Sequence, residues 1–207
     1  MSSALASALE RNGHSTSRVS RGSDVLLTHG DFDVLMLDLG LEDGDGFEVI
    51  HQLRRVTDIP IIVVTARGDE RSTVRALRLG ADDFLVKPVR LQELLARLDV
   101  AGKRRRQGTN SDKIVSVGPL DIDLAAHRVT HAGSETPLTP TEFSLLAVLA
   151  QRPGSAVSRE QVLDEVWGDA FAARSRTLDV HLAQLRQKLP TDVVITTIRG
   201  FGFRLEA

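Results

Sequence analysis

The stretch Ile59-Pro-Ile-Ile-Val-Val64 is a short, nearly continuous apolar run, and it decides the fold class of the first half of the chain. Two similar runs flank it along the sequence, Val34-Leu-Met-Leu37 before it and Phe84-Leu-Val86 after it. Runs of this kind predict strands that are buried on both faces, as the strands of parallel sheets are. Apolar residues at helical spacing predict helices over residues 47–53, 74–79 and 91–98. This alternation predicts a doubly wound α/β domain with a parallel sheet.

The composition is that of a globular protein with two small domains. A length of 207 residues suits two domains better than one. The absence of cysteine excludes disulfides and thiolate chemistry. No apolar run approaches the roughly 20 residues of a membrane helix, and the first residues lack the pattern of a signal peptide. We therefore expect a cytoplasmic protein.

The net charge of −2 conceals a difference between the two halves of the chain. Residues 1–100 carry 12 basic and 16 acidic side chains, whereas residues 101–207 carry 14 and 12. The more basic second half favours a polyanionic partner there, although two ordinary protein surfaces explain so small a difference equally well.

A basic stretch, Lys103-Arg-Arg-Arg-Gln-Gly-Thr-Asn-Ser111, lacks apolar periodicity and separates the two halves. We interpret it as a linker at residues 102–112, between a first domain at 1–101 and a second at 113–207. In the second domain, alternating residues predict strands near 114–117 and 120–124 and a hairpin over 194–205. Helical patterns occupy the region between them, at residues 140–151, 159–166 and 176–189.

Three polar residues stand where the predicted parallel strands end: Asp38, Thr65 and Lys87. Ligands of open parallel sheets bind at this edge, so we expect the three side chains to lie together. The carboxylate of Asp38 can attack a phosphoryl group. The ammonium of Lys87 and the hydroxyl of Thr65 can stabilise its charge. A single carboxylate at a strand end is usually a turn residue, but the set of three favours phosphoryl chemistry.

Longer motifs around these residues resemble the receiver domain of bacterial two-component response regulators. The motifs are Leu37-Asp-Leu39, Gly44-Asp-Gly-Phe47, Thr65-Ala-Arg67 and Gly80-Ala-Asp-Asp-Phe-Leu-Val-Lys-Pro88. The resemblance covers residues 3–101 and implies that Asp38 is the phospho-acceptor, with Thr65 as the switch hydroxyl and Lys87 as the phosphate-pairing lysine. It places Phe84 at an aromatic switch position, although plain core packing explains that residue nearly as well. It also implies a cis Lys87–Pro88 bond.

The family's receiver domains open with a buried strand that ends in adjacent acidic residues, which hold Mg²⁺. The chain shows no counterpart of that segment before its first helical pattern. The resemblance then leaves Asp38, the Gly40 carbonyl and water as Mg²⁺ ligands, so we expect an incomplete metal site. Glu42 stands where a proline is usual, and it either adds an oxygen ligand or remains a solvated loop residue.

Without that strand, the Asp38 strand becomes an apolar sheet edge, which is an aggregation liability. The segment 15–20 is too polar to replace a central strand. Two explanations stay open: the coding sequence starts upstream of Met1 and there encodes an apolar strand with acidic residues at its end, or the domain is an atypical receiver. We expect the chain as written to accept phosphate poorly, because metal ions do much of the work in phosphoryl transfer.

The segment 176–189 sorts into two stripes at helical spacing. Leu178, Leu182, Leu185 and Leu189 form an apolar stripe that should pack inward. A helix with one apolar and one polar, basic face can enter a major groove, although most charged faces are only solvated. We expect the second stripe to be exposed, with arginines beside it: Thr177, Val180, His181, Gln184 and Lys188, flanked by Arg174, Arg176 and Arg186.

The motifs of the second half resemble the winged-helix effector domain of the OmpR/PhoB class. They are Leu138-Thr-Pro-Thr-Glu-Phe-Ser-Leu-Leu146, Val166-Trp-Gly168, Arg176-Thr-Leu-Asp-Val-His-Leu182, Leu185-Arg-Gln-Lys-Leu189 and Thr197-Ile-Arg-Gly-Phe-Gly-Phe203. The resemblance covers residues 113–207 and implies that 176–189 is the recognition helix. It also implies that Arg199 tips a wing that reaches an adjacent minor groove, and that the loop Asp169–Arg174 faces RNA polymerase.

The same resemblance implies roles for individual residues on DNA. Gln184 stands at a base-reading position, and a glutamine suits N6 and N7 of adenine. For Asp179 we favour local helix packing. The implied phosphate contacts are Trp167, Arg176, Thr177, His181, Arg186 and Thr197.

The face formed by residues 74–98 resembles the family's dimer surface. Asp83 and Arg97 are suited to form an intersubunit pair there. Thr73 stands where a basic partner for Glu93 is usual, so the sequence does not support that second contact.

Together the resemblances imply a DNA-binding transcriptional response regulator rather than an enzyme. A sensor histidine kinase would phosphorylate it, and it would bind promoter DNA as a homodimer on a direct repeat. Two alternatives stay open: a regulator of the same fold that works without phosphate, and an aspartyl-phosphate enzyme or phosphate sink. The winged helix argues against the enzyme, which has no need of it.

Overall fold

The computed structural model describes residues 3–107, 114–168 and 175–207. The chain divides into two compact units, Met1–Asp99 and Val100–Ala207. No helix in these ranges is long and apolar enough to cross a membrane.

The first unit begins with two helices and a 3₁₀ turn and then alternates strands with helices. Its elements are α1 (Ser3–Arg11), α2 (Gly22–Thr28), the 3₁₀ turn (His29–Asp31), β1 (Leu35–Leu37), α3 (Gly46–Leu53), β2 (Ile61–Thr65), α4 (Glu70–Arg78), β3 (Asp83–Val86) and α5 (Leu91–Gln107).

A parallel sheet of order β1-β2-β3 forms the centre of the first unit. All five residues of β2 are buried, as its continuous apolar sequence predicts. Leu35 pairs with Ile61 on one side of β2, and Ile62 pairs with Asp83 on the other. The carboxyl ends of the three strands therefore lie at one edge of the sheet.

In the described part of the chain β1 is an edge strand, as expected, with Leu35 and Met36 half-buried. Residues 15–20 form no strand, which agrees with their polar sequence. The sequence patterns do not predict α2, because seven residues are too few to show a helical period. This helix packs closely on α3: a Cβ on Gly22 would lie 2.5 Å from a methyl of Val49.

The second unit combines two antiparallel sheets with three helices. Its elements are β4 (Ile114–Val117), β5 (Leu120–Asp123), β6 (Arg128–His131), β7 (Ser134–Glu135), α6 (Pro140–Ala150), β8 (Val157–Ser158), α7 (Arg159–Trp167), α8 (Ser175–Lys188), β9 (Val194–Ile198) and β10 (Gly202–Glu206). The sheets have the orders β4-β5-β6-β7 and β8-β10-β9. Helices and sheets share one core, in which Leu145, Val162 and Leu185 are fully buried.

Local sequence explains where these helices begin. Thr139 and Glu142 form a capping box at the start of α6, with Pro140 as the first helical residue. The hydroxyl of Ser158 accepts a hydrogen bond from the amide of Gln161 and so caps α7. The three predicted helices and the C-terminal hairpin are present within about one residue of their expected bounds.

Two features of the structure were not predicted from the sequence. The short strands β6, β7 and β8 were not predicted, since two to four residues between turns carry too little alternation. Part of the predicted linker is helical, because α5 continues to Gln107. Lysine, arginine and glutamine favour helix without any apolar periodicity. Residues 108–113 lie outside the described residues.

Candidate phospho-acceptor site and nucleic-acid interface

The structure brings the three strand-end residues together. Asp38 follows β1, Thr65 ends β2 and Lys87 follows β3. The Nζ atom of Lys87 lies 2.5 Å from Oδ2 of Asp38, and the amide of Gly40 donates to Oδ1 at 3.2 Å. Thr65 is only 1% exposed, and its hydroxyl is one of the groups that lower the pKa of the Asp38 carboxyl.

This environment keeps Asp38 ionised. Burial raises the pKa of the Asp38 carboxyl, but the hydrogen bonds from Lys87 and Gly40 and the charge of Lys87 lower it by more. The net result is a pKa below the ordinary value of an aspartate. An ionised carboxylate beside an ammonium and a hydroxyl can attack a phosphorus atom and can hold the resulting phosphoryl charge.

Lys87→Met should raise the pKa of Asp38. The substitution removes both the strongest hydrogen bond to the carboxylate and the nearby positive charge, while burial of the carboxyl remains. A pH titration that follows the NMR signal of the Asp38 carboxyl carbon measures this change in pKa. Asp43 is an internal control: the amides of Gly22 and Ser23 lower its pKa, so it should not move. An Asp38 pKa that stays low in the variant would contradict this account of the ion pair.

Two neighbours of the strand-end residues also have the expected geometry. The Lys87–Pro88 bond is cis, as the resemblance implied. Phe84 is buried in the first unit, which is the position that core packing predicts. A switch role for Phe84 remains a prediction.

The described residues around Asp38 do not supply a complete set of Mg²⁺ ligands, and the incomplete site at Asp38 and Gly40 stays a prediction. Both oxygens of Asp38 already accept hydrogen bonds. Glu42 is exposed, and its carboxylate accepts a hydrogen bond from the hydroxyl of Ser20 at 3.1 Å. Asp43 accepts hydrogen bonds from the amides of Gly22 and Ser23. Among the described residues no three histidine, cysteine or acidic side chains are grouped to hold a metal.

The expected dimer residues form an ion network within the chain. Arg97 pairs with Asp83 through Nη1 and with Glu93 through Nη2, the latter at 2.9 Å. Arg97 and Asp83 are 4% and 5% exposed, so neither presents its charge at the surface of a single chain. Within the single chain the guanidinium of Arg97 joins α5 to β3, and an intersubunit Asp83–Arg97 pair stays a prediction.

Helix α8, the expected recognition helix, packs with its leucine stripe inward, as predicted: Leu178, Leu182 and Leu185 are at most 1% exposed. The expected polar stripe is only partly exposed. Thr177 and His181 are buried, and the His181 ring stacks at a tilt 6.1 Å from the ring of buried Trp167. The buried arc of α8 is thus wider than its leucines alone indicate.

Lys188 is exposed, as expected, and its ammonium pairs with the nearly fully buried Glu142 of α6 at 2.6 Å. Gln184 is half-buried and its amide oxygen is buried, while Val180 is half-buried. The side chain of Arg176, Arg174 and the loop Asp169–Arg174 lie outside what the structure describes.

The exposed face of α8 contains residues that the stripe assignment missed. Ala183 and Gln187 are exposed, together with Asp179 and Arg186. At about 100° per residue, Ala183 and Gln187 lie on the far side of the helix from the leucine stripe, and Asp179 and Arg186 lie beside that stripe, so a helical wheel centred on the leucines would have found the first two. Asp179 does not pack into the helix as favoured; its carboxylate forms a double hydrogen bond with Arg159 at 2.9 and 3.0 Å.

A groove of about 410 Å³ lies between α8 and the β9–β10 hairpin. Arg186 lines it and donates to the Ile195 carbonyl at 2.9 Å and to the Thr197 hydroxyl at 2.8 Å. Arg199 is exposed in the turn of the hairpin, where Gly200 has a φ of +72°. The wing is therefore present with its arginine at the tip.

Comparisons with known proteins agree with this geometry. A family described as response regulator receiver domain matches residues 1–99, and one described as transcriptional regulatory protein, C terminal, matches residues 133–205. The KDP operon transcriptional regulatory protein KdpE of Escherichia coli is 44% identical over 177 residues, which are 83% of this chain and 78% of KdpE. The transcriptional regulatory protein AfsQ1 of Streptomyces coelicolor is 40% identical over 98% of this chain and 92% of its own. A solved structure of a RitR mutant has a TM-score of 0.77 at 25% identity, covering 98% of this chain and 93% of its own.

Proposed function

Since the chain belongs to the OmpR/PhoB class of two-component response regulators, which are DNA-binding transcriptional regulators, we propose that Asp38 is the residue through which it is switched. A phosphohistidine of a sensor histidine kinase is the donor. An oxygen of Asp38 bonds to phosphorus as the phosphorus–nitrogen bond of the donor breaks, and the released imidazole keeps the electron pair. The pairing of Asp38 with Lys87 beside Thr65, at the carboxyl ends of three parallel strands, is the observation that carries this proposal.

The second unit then acts on promoter DNA. We place the exposed face of α8 in a major groove and Arg199 of the wing in the neighbouring minor groove. Phosphorylation favours a homodimer of the first unit, and two tethered winged helices bind a direct repeat more tightly than one. RNA polymerase is the further partner on the promoter, in the cytoplasm where the DNA lies. We propose no enzymatic turnover beyond the chain's own phosphorylation.

One observation favours a second candidate, a regulator of the same fold that works without phosphate. Around Asp38 the described residues offer a single carboxylate, whose two oxygens are both hydrogen-bonded. Divalent metal does much of the charge stabilisation in phosphoryl transfer. No feature of the described residues favours an aspartyl-phosphate enzyme or a phosphate sink.

Phosphorylation with acetyl phosphate separates these candidates. We expect slow, incomplete labelling of the full chain that is lost in Asp38→Asn, and tighter binding of the labelled fraction to a direct-repeat duplex. Asp43→Asn, which changes an exposed neighbouring carboxylate, is the matched control and should label like the wild type. Equal DNA affinity before and after labelling would favour the phosphate-independent regulator. Labelling that persists in Asp38→Asn would refute the assignment of the acceptor.

A further inference from the structure

The recognition helix and the wing are joined by one side chain across the groove that separates them. Arg186 of α8 donates one hydrogen bond from Nε to the carbonyl oxygen of Ile195 and a second from Nη2 to the hydroxyl of Thr197. Ile195 and Thr197 are alternate residues of β9, which pairs with β10 over five residues. A guanidinium presents its donors in a rigid plane, so two such bonds fix both the distance and the angle of β9 against α8.

A second arginine supports the other strand of the wing. The amide of Arg159, at the start of α7, donates to the Phe201 carbonyl at 2.9 Å. The side chain of Arg159 holds Asp179 of α8 through two hydrogen bonds. Both ends of the hairpin turn are therefore tied, through arginines, to the recognition helix. Arg199 lies in this turn, two residues beyond Thr197.

We propose that Arg186 is a positioning residue that sets the wing against the recognition helix, rather than a contact to a DNA phosphate. This inference rests on the proposed placement of α8 and the wing in adjacent grooves. Two contacts on one rigid body bind a duplex far better than two contacts whose spacing fluctuates, because the second contact forms at a high effective concentration. The rigid connection through Arg186 supplies that spacing.

A lysine substitution separates the two roles. A phosphate accepts an ammonium nearly as well as a guanidinium, since lysine binds phosphate as a point charge. An ammonium cannot reproduce two hydrogen bonds in fixed directions to Ile195 and Thr197. Arg186→Lys therefore keeps the positive charge but loses the two directed hydrogen bonds to β9.

The experiment uses the full chain and a duplex selected by the wild-type protein from random sequences. Affinity is measured at several salt concentrations for Arg186→Lys, Arg186→Ala, Thr197→Val, Arg199→Ala and the double variant that combines Arg186→Lys with Arg199→Ala. Arg152→Lys is the control at an exposed arginine after α6. Fluorescence of Trp167, the single tryptophan, reports that each variant is folded. We expect Arg186→Lys to lose about tenfold or more in affinity with an unchanged salt slope, because no counterion release is lost. Thr197→Val should weaken binding in the same way.

The coupling to the wing is the decisive readout. Arg199→Ala should cost much less in the Arg186→Lys background than in the wild type, because the loosened wing contributes little there. The proposal is overturned if Arg186→Lys binds DNA with wild-type affinity while Arg186→Ala binds more weakly and with a salt slope shallower by about one. That combination would show that Arg186 contacts a phosphate. Weakened binding by Arg199→Ala confirms the wing contact independently. If Arg199→Ala binds like the wild type, the proposed wing placement fails, and the positioning role fails with it.

Discussion

Gly202→Ala should destabilise the second unit by about 3 kcal/mol or more, the upper range for overpacking. A Cβ on Gly202 would lie 2.0 Å from the carbonyl oxygen of Val157 and 2.8 Å from the amide of Arg159. Both obstacles are backbone atoms, so no side chain can rotate away. Gly202 pairs with Ser158 in the sheet, and relief of the clash requires β8 and β10 to separate.

Urea unfolding followed by the fluorescence of Trp167 measures this effect, because that residue is buried in the core of the second unit. Gly133→Ala is the matched control: Gly133 has a φ of +80° with nothing within 4 Å of a Cβ, so its substitution adds backbone strain of about 1–2 kcal/mol without a clash. Equal midpoints for the two variants would contradict the role of the close approach. DNA affinity should also fall in Gly202→Ala, since β10 carries one side of the wing.

Arg54→Met should destabilise the first unit by about 3–5 kcal/mol, the usual cost of breaking a buried ion pair from one side. The Nη2 atom of Arg54 lies 2.7 Å from Oδ2 of Asp82, which is 3% exposed. The same guanidinium donates to the carbonyls of Gly80 and Ile59, each at 2.7 Å. Methionine fills similar space but leaves the carboxylate and two carbonyls without these donors.

The two units report separately on unfolding, which makes this second prediction specific. The first unit contains neither tryptophan nor tyrosine, so the fluorescence of Trp167 follows the unfolding of the second unit alone, whereas circular dichroism follows both units. In Arg54→Met we expect circular dichroism to show an earlier transition while the fluorescence transition of Trp167 stays in place. Arg55→Met is the control, because Arg55 is exposed and its replacement should change stability by no more than about 0.5 kcal/mol. An unchanged first transition in Arg54→Met would show that this network is dispensable. Arg54 also holds the loops before β2 and β3, the strands that end at Thr65 and just before Lys87.

The sequence was sufficient to predict that Asp38, Thr65 and Lys87 lie together. A parallel sheet follows from the apolar run at 59–64, and polar residues after parallel strands must meet at one edge. Topology alone thus joins Asp38, Thr65 and Lys87, whatever their exact distances. The leucine stripe of α8 was predicted for a similar reason, since four leucines at helical spacing leave a single face that can be buried.

The sequence by itself determined the helices and strands that show a clear period, the inward stripe of α8 and the residues that meet at the sheet edge, because these depend on local periodicity and strand order. Only the tertiary structure decided which polar residues of α8 reach the surface, since the width of the buried arc depends on what packs beside it, here Trp167 and Glu142. It also decided that Arg97 pairs with Asp83 within the chain and that Arg186 ties the helix to the wing. A long charged side chain can reach several partners, and the fold selects among them by placing one acceptor within its reach.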